Sequence, residues 1–309
     1  MRALFCYFAI VAFAIRAVHA EEPDDSRIIG QILGAREQIL KVNGTDSCVF
    51  LAIWDFDGTI LKGDCSEGLR DGERVVYKGL AEVAIESGFS QIYPHAGDFG
   101  RFWNDYTNMD IRIGHWLAYP FIPQMLRGAK ADDVLRLSQS HFANTLSNYL
   151  MASSVKIIGA LERGGVQSHI ISASADLFVK GAAGSLGIPA ERIHGIEVKV
   201  RDGRLTEELV YPVTWNVGKL VRVKQIVAQY EREGKKVFVL AGFGDSYNTD
   251  GPFLKFIATQ SLAAGKPISV FYGEGAEPPD YAGVFYQARH SATVSDKLQL
   301  PAEAGVPRH

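Results

Sequence analysis

Seven consecutive apolar residues, Cys48 to Trp54, run straight into an aspartate. A strand with one face in water alternates polar and apolar side chains. An unbroken run of this kind therefore reads as a strand covered on both faces, the situation of a central strand in a parallel sheet. Four further segments repeat the pattern of apolar run and polar turn, at 169–172, 237–242, 268–272 and, shorter, 256–258. Helical periods lie between them, at 155–163, 176–186 and 216–233. Strands alternating with helices imply right-handed crossovers and an α/β fold, a doubly wound parallel sheet. The exception is 196–209, where Glu197 to Val200 and Leu205 to Leu209 flank Asp202-Gly203, a hairpin signal.

About 110 residues separate Asp57 from the second strand, where a simple crossover helix needs roughly 10 to 15. An inserted domain is expected there. Amphipathic stretches at 67–86, 96–106, 111–126 and 131–151 make it helical. The expected partition is a leader at 1–20, a core at 21–65 and 153–290, a helical cap at 66–152 and a loose tail at 291–309, containing Pro301, Gly305 and Pro307. A helix over 27–42, stopped by Asn43-Gly44, precedes the first strand.

The first twenty residues carry Arg2, a mostly apolar run from Ala3 to Ile15, and Val18-His19-Ala20 before two glutamates. This is the layout of a secretory signal cut after Ala20, with an uncleaved anchor as the alternative, so an exported, periplasmic or secreted protein is expected. No later stretch is long and apolar enough to span a membrane. Removing the leader with Arg2 and Arg16 leaves 30 basic residues against 35 acidic, which gives no electrostatic reason to expect nucleic acid and favours a small-molecule partner. Of the three cysteines Cys6 leaves with the leader. Cys48 at the start of the first strand lies roughly 23 Å from Asp55 at its end, and Cys65 follows the turn there, so two free thiols are favoured over a disulfide.

Three segments carry candidate chemistry. Asp55-Phe56-Asp57-Gly58-Thr59 follows directly on the first strand. Ligands of open parallel sheets gather at the carboxyl ends of strands, and two carboxylates two residues apart can converge there. One can attack phosphorus while the other handles the leaving group's proton, with a divalent cation relieving their repulsion. An acidic turn closed by Gly58 explains the same residues blandly. Gly242-Phe243-Gly244-Asp245, with Asp250 five residues on, follows another apolar run. Asp245 and Asp250 complete a hard-oxygen site with Asp55, or else form a glycine-rich turn with a helix cap. Ser172 closes a third strand, where hydroxyl and amides can donate to phosphate, although most serines there only cap or turn. Lys219 near the start of the 216–233 helix can neutralise phosphate; a lone lysine is more often solvated.

In combination, Asp-x-Asp-Gly-Thr, Ser172, Lys219 and Gly-Asp-x-x-x-x-Asp resemble the four motifs of the haloacid dehalogenase (HAD) superfamily, over residues 48 to about 272. The phosphoserine-phosphatase-like branch, with a helical cap inserted after the first motif, is the most similar. Asp64, in Asp-Phe-Asp-Gly-Thr-Ile-Leu-Lys-Gly-Asp, and Ser-Ala-Ser-Ala-Asp-Leu-Phe-Val from Ser172 support that branch. The resemblance implies a HAD-like Rossmannoid core and a Mg2+-dependent phosphatase working through an aspartyl-phosphate. Asp55 would be nucleophile and metal ligand. Asp57 would be general acid and base, lending its carbonyl to the metal. Ser172, Lys219 and Thr59 would hold the phosphoryl group, Asp245 would bind the metal, and Asp250 would support the metal shell or Lys219. Dehalogenases lack the second aspartate and transport ATPases carry threonine there, so Asp57 favours phosphoryl transfer. The spacing Asn248-Thr249-Asp250-Gly251 departs from the branch's Asn-Asp pair and is closer to secreted relatives such as phosphorylcholine phosphatases.

Selectivity is expected from the cap, where Phe99, Phe102, Trp103, Tyr106, Trp116, Tyr119 and Phe121 mix with Asp105 and Asp110. Helical spacing makes core packing the plain reading. If several face the sheet with Asp64 or Asp105 nearby, they suit a cationic head group, and Asp64, Trp103 and Tyr106 are the specificity candidates. The substrate expected is a small phosphomonoester, amine-bearing on this reading. A phosphotransferase or mutase, or a non-catalytic phosphoryl-ligand binding protein, would share the fold.

Overall fold

The computed structural model describes residues 24–44, 47–262, 265–290 and 292–299; the leader, Cys6 and the end of the tail lie outside them. Helix α1 (Asp24–Asn43) leads into strand β1 (Cys48–Trp54). The apolar run of β1 serves two cores at once. Val49, Leu51 and Ile53 pack with Val223, Ile226, Phe253 and Ile257 on one side, while Phe50, Ala52 and Trp54 pack with Ile28, Ile32, Ile157 and Leu161 on the other. Side chains alternate across a strand, so a strand sandwiched between helical layers can be apolar at every position.

The segment after β1 was expected to begin with a helix over 67–86. It is instead a hairpin, β2 (Gly68–Asp71) and β3 (Arg74–Lys78), followed by the short helix α2 (Leu80–Glu86). Gly72-Glu73 makes the turn, with Gly72 at φ +59, and Val75, Val76 and Tyr77 favour the extended chain. Helices α3 (Phe99–Arg112), α4 (His115–Gln124) and α5 (Ala131–Asn144) follow, with a 3-10 turn at Leu146–Tyr149. The stretch 111–126 is not one helix: Gly114, at φ +115, breaks it between Arg112 and His115. The 131–151 stretch likewise ends as a helix at Asn144.

The crossover helix α6 (Ala152–Arg163) then returns the chain to β4 (Gln167–Ala175), parallel to β1. Where one helix was expected over 176–186, two short ones stand, α7 (Asp176–Lys180) and α8 (Ala183–Leu186). The hairpin is β5 (Ile193–Arg201) with β6 (Arg204–Val210), turning at Asp202 (φ 49) and Gly203 (φ 73), the paired positive φ of a type I′ turn. Next come α9 (Val217–Arg232), β7 (Lys236–Gly244), α10 (Gly251–Ala258) and β8 (Ile268–Phe271). Residues 256–258, expected as a short strand, are the last turn of α10, whose Phe253, Leu254 and Ile257 make a helical face in the core. The chain closes with β9 (Tyr286–Gln287) and α11 (Val294–Gln299). Within the expected tail, Thr293 is buried and pairs with Met151, so 292–299 belong to the packed molecule.

The sheet order is β6-β5-β4-β1-β7-β8-β9, with only β6 antiparallel to its neighbour. Helices α1 and α6 cover one face and α9 and α10 the other. At the β6 edge the inserted segment docks by backbone hydrogen bonds: the amide of Gly128 donates to Leu205 (2.8 Å), that of Leu205 to Ala129 (2.9 Å) and that of Ala131 to Gly203 (2.9 Å). Cys48 and Cys65 are free thiols.

Candidate active site

β4, β1 and β7 are neighbours, so their carboxyl ends bring Ser172–Ser174, Asp55–Asp57 and Asp245 together. The amide of Asp55 donates to the Phe243 carbonyl at 2.8 Å, the last rung joining β1 to β7. The loop after Asp55 then folds back on itself. The Phe56 carbonyl accepts from Ile60 (2.7 Å), and the Gly58 amide donates to Leu61 (2.8 Å). Gly58 sits at φ +73, and a Cβ there would stand 1.9 Å from Asp245 Oδ2. Only glycine lets the loop and the β7 carboxylate approach this closely.

Lys219 has no exposed surface. Its Nζ donates to Asp55 Oδ1 at 2.5 Å and to Asp250 Oδ1 at 2.6 Å. Burial disfavours its charge, but the two carboxylates outweigh that and hold it above the ordinary lysine range as an ammonium. The second oxygen of Asp250 accepts the amides of Asp245 and Ser246, each at 3.1 Å. Asp250 is thus fully used in orienting Lys219 and the Asp245 loop. Asp55 is pushed well above the usual carboxylate range by burial and then by the Asp250 charge, against Lys219. Asp245 is pushed up to about 7, by burial and again by Asp250.

Asp57 is held apart from this set. Its Oδ1 accepts the Cys65 amide at 2.7 Å, and its Oδ2 accepts the hydroxyls of Ser174 (2.7 Å) and Ser172 (3.3 Å). Burial, followed by the nearby Asp64 charge, pushes its carboxyl up to about 8. Its hydrogen-bond donors act against that rise.

These groups line a cavity of about 360 Å³. Asp55, Asp57, Ser174, Lys219 and Asp245 form its sheet side, while Asp64, Glu67, Tyr106, Tyr119 and Ile122 come from the inserted segment. Asp64 Oδ1 accepts the amides of Ser66 (2.6 Å) and Glu67 (2.8 Å), and Tyr106 donates to Glu67 Oε1 at 2.5 Å. Among the described residues of the lining, Lys219 is the one cation.

Asp55, Asp245 and Asp250 each offer an oxygen within 4.8 Å of the others. With both Asp250 oxygens engaged, Asp55 and Asp245 are the pair free to ligate. Hard oxygens, mutual repulsion and the close packing enforced at Gly58 fit a small dication that keeps several waters.

Of the residues predicted from sequence, Asp55, Asp57, Asp64, Tyr106, Lys219 and Asp245 reach the cavity, and Asp250 lies behind it. Ser172 is fully buried: its hydroxyl accepts the Ser174 amide (2.9 Å) and its carbonyl accepts the Thr214 hydroxyl (2.6 Å). Thr59 is carried off the rim as the chain folds back over Phe56, and its hydroxyl is buried without a partner. Trp103 packs half-buried between Phe99 and Tyr106, outside the lining. Sequence reasoning passed over Ser174 and Glu67. Ser174 was findable as the residue two places after Ser172, on the same face of a strand. Glu67 carried the weaker signal of an acid three residues after Asp64.

A doubly wound sheet with an acidic centre at its carboxyl edge is the layout of an α/β enzyme whose chemistry sits at the strand ends. The family of haloacid dehalogenase-like hydrolases matches residues 52–255, more than half of the chain, and the chain belongs to that family. Comparison with curated proteins finds no match. Among solved structures, a protein of unknown function from Bordetella pertussis Tohama I superposes with a TM-score of 0.53 at 18% identity, over 73% of this chain and 91% of that one. A functionally unknown protein from Anaerococcus prevotii DSM 20548 gives 0.55 at 13% identity, over 83% and 87%. These two share the fold. A phosphoserine phosphatase with an analogue of its phospho-aspartyl intermediate gives 0.44 at 15% identity, over 81% and 97%.

Proposed function

We propose that the chain is a Mg2+-dependent phosphomonoester hydrolase of the phosphoserine-phosphatase-like branch, with Asp55 as nucleophile and the 66–152 insertion as its cap. The observation that carries this is the division of labour between two neighbouring aspartates. Asp55 lies against a buried ammonium, which favours its ionised form, whereas Asp57 is turned away from that charge and held by hydroxyls and an amide. A nucleophile has to be ionised and an acid has to be protonated at the same pH.

Asp55 attacks phosphorus, forming the aspartyl-phosphate as the bond to the leaving oxygen breaks. Asp57 gives its proton to that oxygen. The same carboxylate then takes a proton from the water that attacks the aspartyl-phosphate, restoring Asp55 and releasing phosphate. Lys219 offsets the repulsion between nucleophile and phosphoryl oxygens, and the Ser174 hydroxyl stands at the same rim. A magnesium ion held by Asp55, Asp245 and the Asp57 carbonyl would supply further charge neutralisation at the equatorial oxygens.

The cavity is near the lower end of ligand pockets, roughly 300 to 1,000 Å³, which suits a small substrate. At its cap end Asp64 and Glu67 stand beside Tyr106 and Tyr119 with no cation among them. Burial, with the Asp64 charge second, pushes Glu67 up to about 7. A cationic group would offset two desolvated carboxylates, so an amine-bearing phosphomonoester is the favoured substrate. The leader is read as an export signal, placing the activity outside the cytoplasm.

The test is phosphate release with and without Mg2+ from wild type and Asp55→Asn, over choline, ethanolamine, serine, nucleoside and sugar phosphates. Activity should need the metal, fall on the order of 10³-fold or more in the variant, and favour the amine-bearing esters. Turnover that survives Asp55→Asn sinks the mechanism, and indifference across the panel sinks the amine preference.

A further inference from the structure

Ser174 stands outside the four motifs on which the phosphatase reading rests, yet it lines the cavity while only 6% exposed. Its hydroxyl makes the shortest side-chain contact of the Asp57 carboxyl, 2.7 Å to Oδ2, against 3.3 Å for Ser172 and 3.7 Å for the Cys65 thiol. The other oxygen is held by the Cys65 amide at 2.7 Å. Ser174 is itself well anchored, since its amide donates to Ser172 Oγ and the Ser172 carbonyl is bound by Thr214. Asp57, by contrast, sits on a loop. The terminal torsion of a carboxyl is broad, so the donors around it decide its rotation.

We infer that Ser174 is a positioning residue for the general acid: from β4 it holds Oδ2 of Asp57 while the Cys65 amide holds Oδ1, which sets the carboxyl's rotation toward the oxygen of the leaving alcohol. The inference rests on Asp57 being that acid. In the step concerned, the Asp55–phosphorus bond forms, the phosphorus–oxygen bond to the alcohol breaks, and the proton passes from Asp57 to the departing alkoxide. Ser174 keeps its own proton throughout.

An alkoxide cannot leave without that proton, whereas p-nitrophenolate leaves as a stable anion. The two esters therefore separate positioning of the acid from general damage. The measurement is kcat/KM, which reports phosphorylation of Asp55, on glycerol 2-phosphate and p-nitrophenyl phosphate. Ser174→Ala should lose about 30- to 100-fold on the alkyl ester and at most about threefold on the aryl ester. Ser174→Thr, which keeps the hydroxyl, should return the alkyl ester to within about fivefold of wild type. Equal losses on both esters, or no loss on the alkyl ester, overturn the inference. Should the alanine variant show no cooperative melt, Ser174→Cys replaces it: its weaker donor should give the same skew at smaller size, and absence of the skew is again fatal. A wild-type chain that hydrolyses neither ester, or an Asp57→Asn variant that keeps alkyl-ester turnover, overturns the phosphatase reading itself, whatever Ser174 does.

Discussion

Lys219 reaches its two carboxylates from within the protein, where the ammonium and the acids hold each other in place. Removing one partner of such a set leaves uncompensated buried charge, at about 3–5 kcal/mol. Lys219→Met should therefore destabilise by about that much at pH 8. The loss should shrink toward pH 6, because carboxyls whose folded pKa is raised take up protons in place of the lysine and the folded state gains stability as pH falls. Urea denaturation at the two pH values checks both the size and the sign. Gly58→Ala is a sharper local insult: φ is +73 and the new methyl meets Asp245. Displacing that carboxylate by an ångström should cost turnover about a hundredfold, with weaker magnesium dependence in the phosphate-release assay.

At this scale the sequence was most legible where chemistry forces a residue type at the end of a strand, as with Asp55, Asp57 and Asp245. Lys219 could be weighted only through the resemblance, because nothing local distinguishes a buried lysine from a solvated one. Ser174 and Glu67 stayed hidden for another reason. Their roles depend on which way a strand and a hairpin turn present them, and a short polar residue beside a motif looks the same in either orientation.

Among the elements, the parallel strands were readable because burial on both faces leaves a continuous apolar run, and β1 and β7 show it plainly. The hairpin β2–β3 was misread as helix. Its strands are short and largely exposed, so they lack the alternation that a buried face imposes, and only Gly72 marked the turn. The break at Gly114 has a functional side, since α4 carries Tyr119 and Ile122 into the cavity. Its φ of +115 is outside what other residues adopt comfortably. Gly114→Ala should cost about 1–3 kcal/mol of stability. On the proposed function it should raise KM for the best substrate of the panel more than it lowers kcat, because α4 borders the cavity away from the Asp55 side.

Across the whole molecule, two sets of buried groups oppose each other in pH. Asp57 and Asp245, raised from 3.8 to about 8 and 7 chiefly by burial, favour the folded state at low pH and lose that stabilisation as pH rises from the ordinary carboxylate range up to those values. On the proposed function, magnesium should raise the melting temperature more at pH 8 than at pH 6, since the Asp245 carboxyl that would ligate it has to be ionised. His169 acts the other way. It is buried on β4, Nε2 stands 3.2 Å from the Tyr230 hydroxyl, Nδ1 has no partner, and burial, with His194 and Arg192 nearby, depresses it to about 3. Below about pH 6.5 the unfolded chain takes a proton that the folded one refuses, so stability falls by roughly 1.4 kcal/mol per pH unit on this account. His169→Gln should lose less stability than wild type between pH 6.5 and 4.5 in parallel denaturation series, and identical slopes would refute the assignment.

The hydrogen bonds that join Gly128, Ala129 and Ala131 with Gly203 and Leu205 have a consequence for the molecule's solubility. A terminal strand with a bare row of amides and carbonyls invites pairing with another polypeptide, and proteins commonly blunt it with charge or proline. Here the chain's own excursion from the sheet returns to occupy that flank. A variant that pulls this stretch loose, such as Ala131→Pro, would expose sticking ends and should precipitate on mild heating before it loses its native circular dichroism.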